Sequence, residues 1–98
     1  MITLIEKLTA CEALLRSVGE NFWADKIQDI LNKIKEDLDY FYLIEKIQSW
    51  YGGMGSFNDL IISKHNDHML NGRDENKINE DLTRLRNEIY QEVQLLKK

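Results

Sequence analysis

An all-α single domain, a four-helix bundle with a glycine-rich loop and a short extra helical turn, is what this chain of 98 residues predicts. Three observations carry the prediction. Proline is absent. Leucine and isoleucine recur at three- and four-residue steps between Glu, Lys, Asp, Gln and Asn, the spacing of amphipathic helices. Three of the five glycines crowd into one place, Gly52, Gly53 and Gly55. Glycine reaches positive φ without a Cβ clash, so this cluster marks a required bend. A chain of this length forms one domain and can bury roughly 60 to 70% of its unfolded surface.

The first helix is predicted from Ile2 to Val18, with Ile5, Leu8, Cys11, Leu15 and Val18 on one face and Leu4 and Leu14 widening it. Gly19 stops it. Asn21 reads as the N-cap of a second helix carrying Trp23, Ile27, Ile30, Leu31 and Ile34, with Asp25 complementing the dipole of its first turn. Asp37 and Asp39 punctuate the next join. The stretch Leu38 to Tyr51 then forms a central helix, with Phe41, Ile44, Ile47 and Tyr51 as one stripe and Tyr40, Leu43 and Trp50 on or beside it.

Beyond the glycines, Ser56 and Asp59 have the spacing of a capping arrangement, so a short helix restarts at Phe57; a strand over Leu60 to Ile62 is the competing reading. Residues 63–76 are polar, hold the turn pair Asn71 and Gly72, and read as a loop or loosely helical connection. The last helix begins near Glu75 with Ile78, Leu82, Leu85, Ile89, Val93 and Leu96 in phase. Helices of similar length are expected to supply its partners.

The glycine segment Gly52, Gly53, Gly55, Ser56, Asn58 and Asp59 has two readings. In one it is a tight reversal, with Met54 and Phe57 plugging the bundle end and Asn58 bonded to the loop backbone. In the other it is a recognition surface offering backbone groups to a partner.

Net charge is −4, and the excess acid is local. Residues 20–40 hold six acids (Glu20, Asp25, Asp29, Glu36, Asp37, Asp39) against three lysines, whereas residues 64–98 balance seven against seven. Direct nucleic-acid binding asks for the opposite sign. No run is apolar enough to act as a membrane span or secretory signal, and the single cysteine, Cys11, lies on an apolar stripe, so a cytoplasmic protein without disulfides is expected.

No catalytic, cofactor or metal site is expected. His65 and His68, with Asp67 between them, have helical metal-ligand spacing but lack the third and fourth ligands zinc normally takes. The carboxylate pairs Asp37 and Asp39, Asp74 and Glu75, Glu80 and Asp81 sit at boundaries or on helix surfaces, where capping and solvation account for them. No Walker loop, nucleophile elbow or His-Glu-x-x-His helix occurs.

The run Trp50 to Leu60, with the downstream spacing of Leu82, Leu85, Arg86, Ile89 and Tyr90, resembles a family of small uncharacterised bacterial helical proteins. That family carries a Gly-Gly-Met-Gly-Ser core followed by an aromatic or aliphatic residue and Asn-Asp. Leu14, Leu15, Gly19, Trp23 and Ala24 are similar to it upstream. Members resemble immunity proteins of polymorphic toxin systems, including contact-dependent growth inhibition, and the family brings no catalytic residues. The resemblance implies a cognate toxin domain as partner, a nuclease whose basic cleft an acidic inhibitor would occlude. The candidate contacts are then Asp25, Asp29, Glu36, Asp37 and Asp39. A second surface spans Asp67, Asp74, Glu75 and Asp81. Free, the protein is expected to be a monomer or weak homodimer. The alternative function is a helical adaptor or self-associating module with no toxin partner, and an enzyme centred on His65, His68 and the glycine loop is a third class.

Overall fold

The structure is a computed structural model that describes residues 1–36, 39–52 and 55–97. It contains four α-helices, α1 (Ile2–Ser17), α2 (Asn21–Lys35), α3 (Tyr40–Gln48) and α4 (Glu75–Leu96). Single 3-10 turns lie at Ser49–Tyr51, Phe57–Asp59 and Lys64–Asn66, and no strand occurs among the described residues. No described helix is long and apolar enough to cross a membrane.

Helix α1 is central, packed against α2 on one side and α4 on the other, while α3 touches both α2 and α4. Arg73, just before α4, bonds to Ser17 at the end of α1, and Lys7 pairs with Glu88 at 2.6 Å, so α4 runs antiparallel to α1. Their seam is Leu4, Leu8, Cys11 and Leu15 against Ile78, Leu82, Leu85, Ile89 and Val93, all buried at the predicted phase. The 22 residues of α4 span about 33 Å at 1.5 Å per residue, which sets most of the 40 Å long axis.

Four local expectations are corrected. The helices are unequal: α3 has 9 residues against 16, 15 and 22 in the others. Its stripe is also rotated. Leu43, Ile44 and Ile47 are buried, but Phe41 is 68% exposed and Tyr40 takes the inner position, its hydroxyl donating to the Leu96 carbonyl at 2.8 Å. Each residue turns a helix by about 100°, so a one-residue phase error exchanges the two rings.

The cap of α2 is Glu20 rather than Asn21. The Glu20 carboxylate accepts from Trp23 N at 3.2 Å, because the chain leaves α1 through Gly19 at φ +77° and helical geometry begins at Asn21, one residue earlier than an Asn21 cap would give. At the glycine loop, Ser56 makes no capping bond; Asp59 instead reaches back to accept from Gly55 N at 2.8 Å. The helix that restarts at Phe57 is therefore a single 3-10 turn. Asn58 does hold the loop backbone, donating to Tyr51 O at 3.2 Å, and Phe57 is fully buried. The expectations for Asp37, Leu38, Gly53 and Met54 fall outside the described residues.

Leu60 is extended but enters no sheet, since a side chain does the pairing: Asn79 accepts from Ile62 N and donates to Ile62 O, both at 2.8 Å. Arg86 anchors the same segment from α4. Its guanidinium donates to Phe57 O at 2.7 Å and Leu60 O at 2.8 Å, and burial lowers its pKa. No carboxylate pairs with it among the described residues.

Burial raises the Cys11 thiol pKa from 9.0 to about 12, an effect nearby Arg86 partly offsets. In the unfolded chain the thiol ionises near its ordinary value, so above about pH 9 the unfolded state holds fewer protons than the native one. Stability present below that pH is lost as pH rises, at up to about 1.4 kcal/mol per pH unit from this group. Burial raises Tyr51 too, which extends the loss to higher pH. Cys11→Ala is expected to flatten the part of the slope that begins near pH 9, measured as urea midpoints between pH 8 and 11. An unchanged slope would remove Cys11 from the alkaline transition.

Candidate functional site

Two arrangements stand out, one closed and one open. The closed one is a clasp in which residues 63–73 grip the α1–α2 turn. Met69 N donates to Val18 O at 2.9 Å, and Arg73 donates to both the hydroxyl and the carbonyl of Ser17 at 2.8 Å. A Cβ on Gly19 would come within 3.3 Å of Met69 Cε, and its φ is already left-handed, so glycine is required there.

At the centre of the clasp, His68 Nδ1 accepts from Ser63 N at 3.0 Å. Nδ1 therefore carries no proton and Nε2 does, donating to Glu20 Oε1 at 3.0 Å. The imidazole is 7% exposed, and both ring nitrogens are committed. His65 lies exposed on the neighbouring turn, its backbone N–H capped by Ser63. The two histidines do not converge, and among the described residues no three His, Cys, Asp or Glu side chains are grouped to hold a metal.

Glu20 thus does two jobs, capping α2 and holding the loop. Glu20→Ala is expected to cost about 2 kcal/mol, combining a lost cap with an orphaned imidazole N–H. Glu20→Gln keeps one acceptor oxygen, enough for one of the two donors, and should lose about half as much. Chemical denaturation of the three proteins checks this, and a cost below about 0.5 kcal/mol for the alanine variant would mean the clasp contributes nothing.

The open arrangement is the outer side of α2 beside α3. A groove of about 360 Å³ runs between them, floored by Ile30 and Trp50, with Phe22, Asp25, Lys26 and Asp29 from α2 and Lys46 from α3 at its edges. Phe22 is 65% exposed, although such a ring is ordinarily drawn inside. It stacks edge-on against Trp23 at 5.5 Å, and Lys26 Nζ sits 5.1 Å from its centroid. The ring is thus held in place by neighbours while its outer surface stays in water. Tyr42 stands further along α3 with Lys33 over its ring at 5.7 Å.

The acidic candidates distribute unevenly. Asp25 pairs with Arg16 at 2.8 Å and Asp29 with Lys33 at 2.9 Å, each leaving a second oxygen outward. Glu36 is exposed at the C-terminal end of α2. Asp39 caps α3 through Phe41 N and Asp74 caps α4 through Asn76 N, both at 2.9 Å. Asp67 occupies a left-handed backbone position at φ +64°, Glu75 opens α4, and Asp81 pairs with Lys77 at 3.0 Å. Asp25, Asp29 and Glu36 therefore share one helix and its exposed side, whereas Asp39, Asp74 and Asp81 serve the local helix structure. A broader depression of about 720 Å³ follows α4 from Asn76 to Gln91, and it is lined by the polar side of that single helix.

Phe22 escaped the sequence reading. A signal was available, because a phenylalanine beside Trp23 falls outside the set Trp23, Ile27, Ile30 and Leu31, and a large ring off the buried stripe of a helix is exposed.

A family model described as a domain of unknown function, DUF6966, matches residues 16–71, more than half of the chain. The match runs from the last turn of α1 through α2, α3, the glycine loop and the clasp, and stops short of α4. Both the Glu20–His68 pair and the α2–α3 groove lie inside it. No curated protein and no solved structure matches the chain.

Proposed function

The chain belongs to the DUF6966 family, and we propose that it is an immunity protein that binds a cognate bacterial toxin domain in the cytoplasm and neutralises it by covering the active site. The carrying observation is the exposed Phe22 ring, which lines one groove with Asp25 and Asp29 of the same helix. Aromatic anchors of this kind dominate protein interfaces, and surrounding charges set partner choice and encounter rate. The resemblance of the glycine-loop motif to immunity proteins supplies the partner class. The acidic stretch bears on a basic, nuclease-type cleft more weakly than the ring does, because Asp25 and Asp29 are each already paired with one cation. On this reading the protein performs no chemistry. Occlusion needs only a preformed surface, and helix α2, capped at Glu20 and packed along α1, supplies one.

The test is growth rescue on co-expression with the toxin domain whose gene adjoins its own, followed by affinity measurement on the purified pair. Wild type is expected to rescue, and Phe22→Ala to weaken binding about 30-fold, the scale of an aromatic anchor. Asp29→Lys should reduce the salt dependence of association as well as affinity. A rescued strain in which neither variant alters affinity would move the interface off α2.

A second reading, a self-associating helical adaptor, is favoured by one observation. Ile2, Phe41 and Leu95 are all exposed and belong to the end of the bundle where α1 and α3 begin and α4 finishes. Sedimentation across concentration separates it from the first: a constitutive oligomer with no toxin complex would replace the immunity reading.

A further inference from the structure

We infer that the α2–α3 groove receives a carboxylate carried next to an aromatic or aliphatic side chain, presented by a protein partner. This deepens the preceding proposal and rests on reading that face as a docking surface. The argument is one of unmet charge. Both groove carboxylates are engaged from outside the groove lining, Asp25 by Arg16 of α1 and Asp29 by Lys33 one turn along α2. The two groove lysines are in the opposite condition. Lys26 and Lys46 come from different helices, border the same apolar floor, and form no ion pair among the described residues.

Lys26 has only ring faces for company, Phe22 at 5.1 Å and Trp23 at 5.4 Å. A cation over an exposed ring is held only weakly, and a carboxylate can join it without displacing the ring. Within the lining two lysines and two aspartates balance, but the aspartates already have cations from outside it, so the charge left to satisfy in the groove is that of Lys26 and Lys46. Phe22, Trp50 and Ile30 supply the apolar half of the site, which a bare inorganic anion has no means to use. The occupant that satisfies both halves is an acidic residue adjoining an apolar one on the partner's surface. Asp25 and Asp29 then face the basic residues around it, so the groove reads the partner's polarity as well as its shape.

The experiment is an amide NMR titration of the whole ¹⁵N-labelled chain with three probes: indole-3-acetate, tryptamine and inorganic phosphate. The expected result is saturable shifts at residues 22–30 and 46–50 with indole-3-acetate, and binding at least about 5-fold weaker with tryptamine, the scale of one exposed charge contact. Lys46→Glu, at an exposed position, should weaken indole-3-acetate by a similar factor while leaving the dispersion of the spectrum intact; Lys26→Gln is the second variant. Equal binding of tryptamine, saturation by phosphate alone at the same concentration, indifference to both lysine variants, or absence of saturable shifts would each overturn the inference. Toxin capture by Phe22→Ala is scored separately. Weakened capture with a null titration leaves the docking reading standing and removes the carboxylate, whereas intact capture removes α2 as the docking face whatever the titration gives.

Discussion

Arg86→Ala is expected to lower the unfolding free energy by about 3 kcal/mol or more, a large share of the 5–15 kcal/mol typical of a domain. The guanidinium is a buried cation that forms no ion pair among the described residues, which is costly in itself. What it provides is a collar for the carbonyls of Leu60 and of Phe57, the latter also accepting from Leu60 N in its 3-10 turn at a longer 3.3 Å. Removal takes the guanidinium from both acceptors, leaves Phe57 O with that one long bond, and frees the loop that follows the glycines. Arg86→Lys should recover less than half of the loss, because one ammonium cannot reproduce the planar fork that reaches both carbonyls and the Thr83 hydroxyl. Thermal unfolding reads the result, at roughly 4–8 °C per kcal/mol for a domain of this size. A fall of less than about 5 °C for the alanine variant would mean the collar is satisfied by solvent.

Phe57→Ala should be as severe, about 3–5 kcal/mol. The ring is fully buried where three aromatic side chains meet, 4.9 Å from Trp23, 6.0 Å from Trp50 and 5.8 Å from Tyr51 by centroids. No neighbouring side chain is free to fill the cavity, since Trp23 and Trp50 are themselves wedged between helices. The two predictions are coupled, because Arg86 both stacks on this ring at 5.9 Å and holds the backbone carbonyl of the same residue. The double variant should therefore lose at least about 0.5 kcal/mol less than the sum of the singles. Strict additivity would mean that Arg86 and Phe57 stabilise the loop independently. Loss of this corner would also loosen Trp50, the floor of the groove, so under the proposed function capture of the toxin domain should weaken in Phe57→Ala even at temperatures where the protein remains folded.

Helix number and order were legible in the residues because periodicity and punctuation are local, whereas the central helix, expected over Leu38 to Tyr51, is α-helical only over Tyr40–Gln48 among the described residues. The α1 and α4 seams came out in phase over four turns and more, since a long stripe averages out the error in any single position. Helix α3 did not, because nine residues hold too few turns to separate Tyr40 from Phe41, and both are aromatic. The clasp was illegible for a different reason. Glu20 and His68 are 48 residues apart, and nothing in either neighbourhood announces the other.

The candidate site divides in the same way. Its carboxylates were visible as a charge bias along residues 20–40. Which of them are spent was not: Asp25 is met by a residue on another helix, and Asp39 and, further along the chain, Asp74 accept from the N–H groups of Phe41 and Asn76 in the first turns of α3 and α4. The lysines that define the groove were counted in the sequence only as partial compensation for acid.

By itself the sequence determined an all-helical chain, its breaks at Gly19 and Gly52, the composition of its core and the location of its excess acid. These follow from hydrogen bonding and side-chain burial within a few residues of each position. Tertiary structure alone decided that Arg86 is buried among carbonyls, that Asn79 completes the backbone of Ile62, and that Lys26 and Lys46 share one groove. Each of these depends on the rotation of one helix against another, a quantity set by packing across the whole core that no short stretch of residues contains.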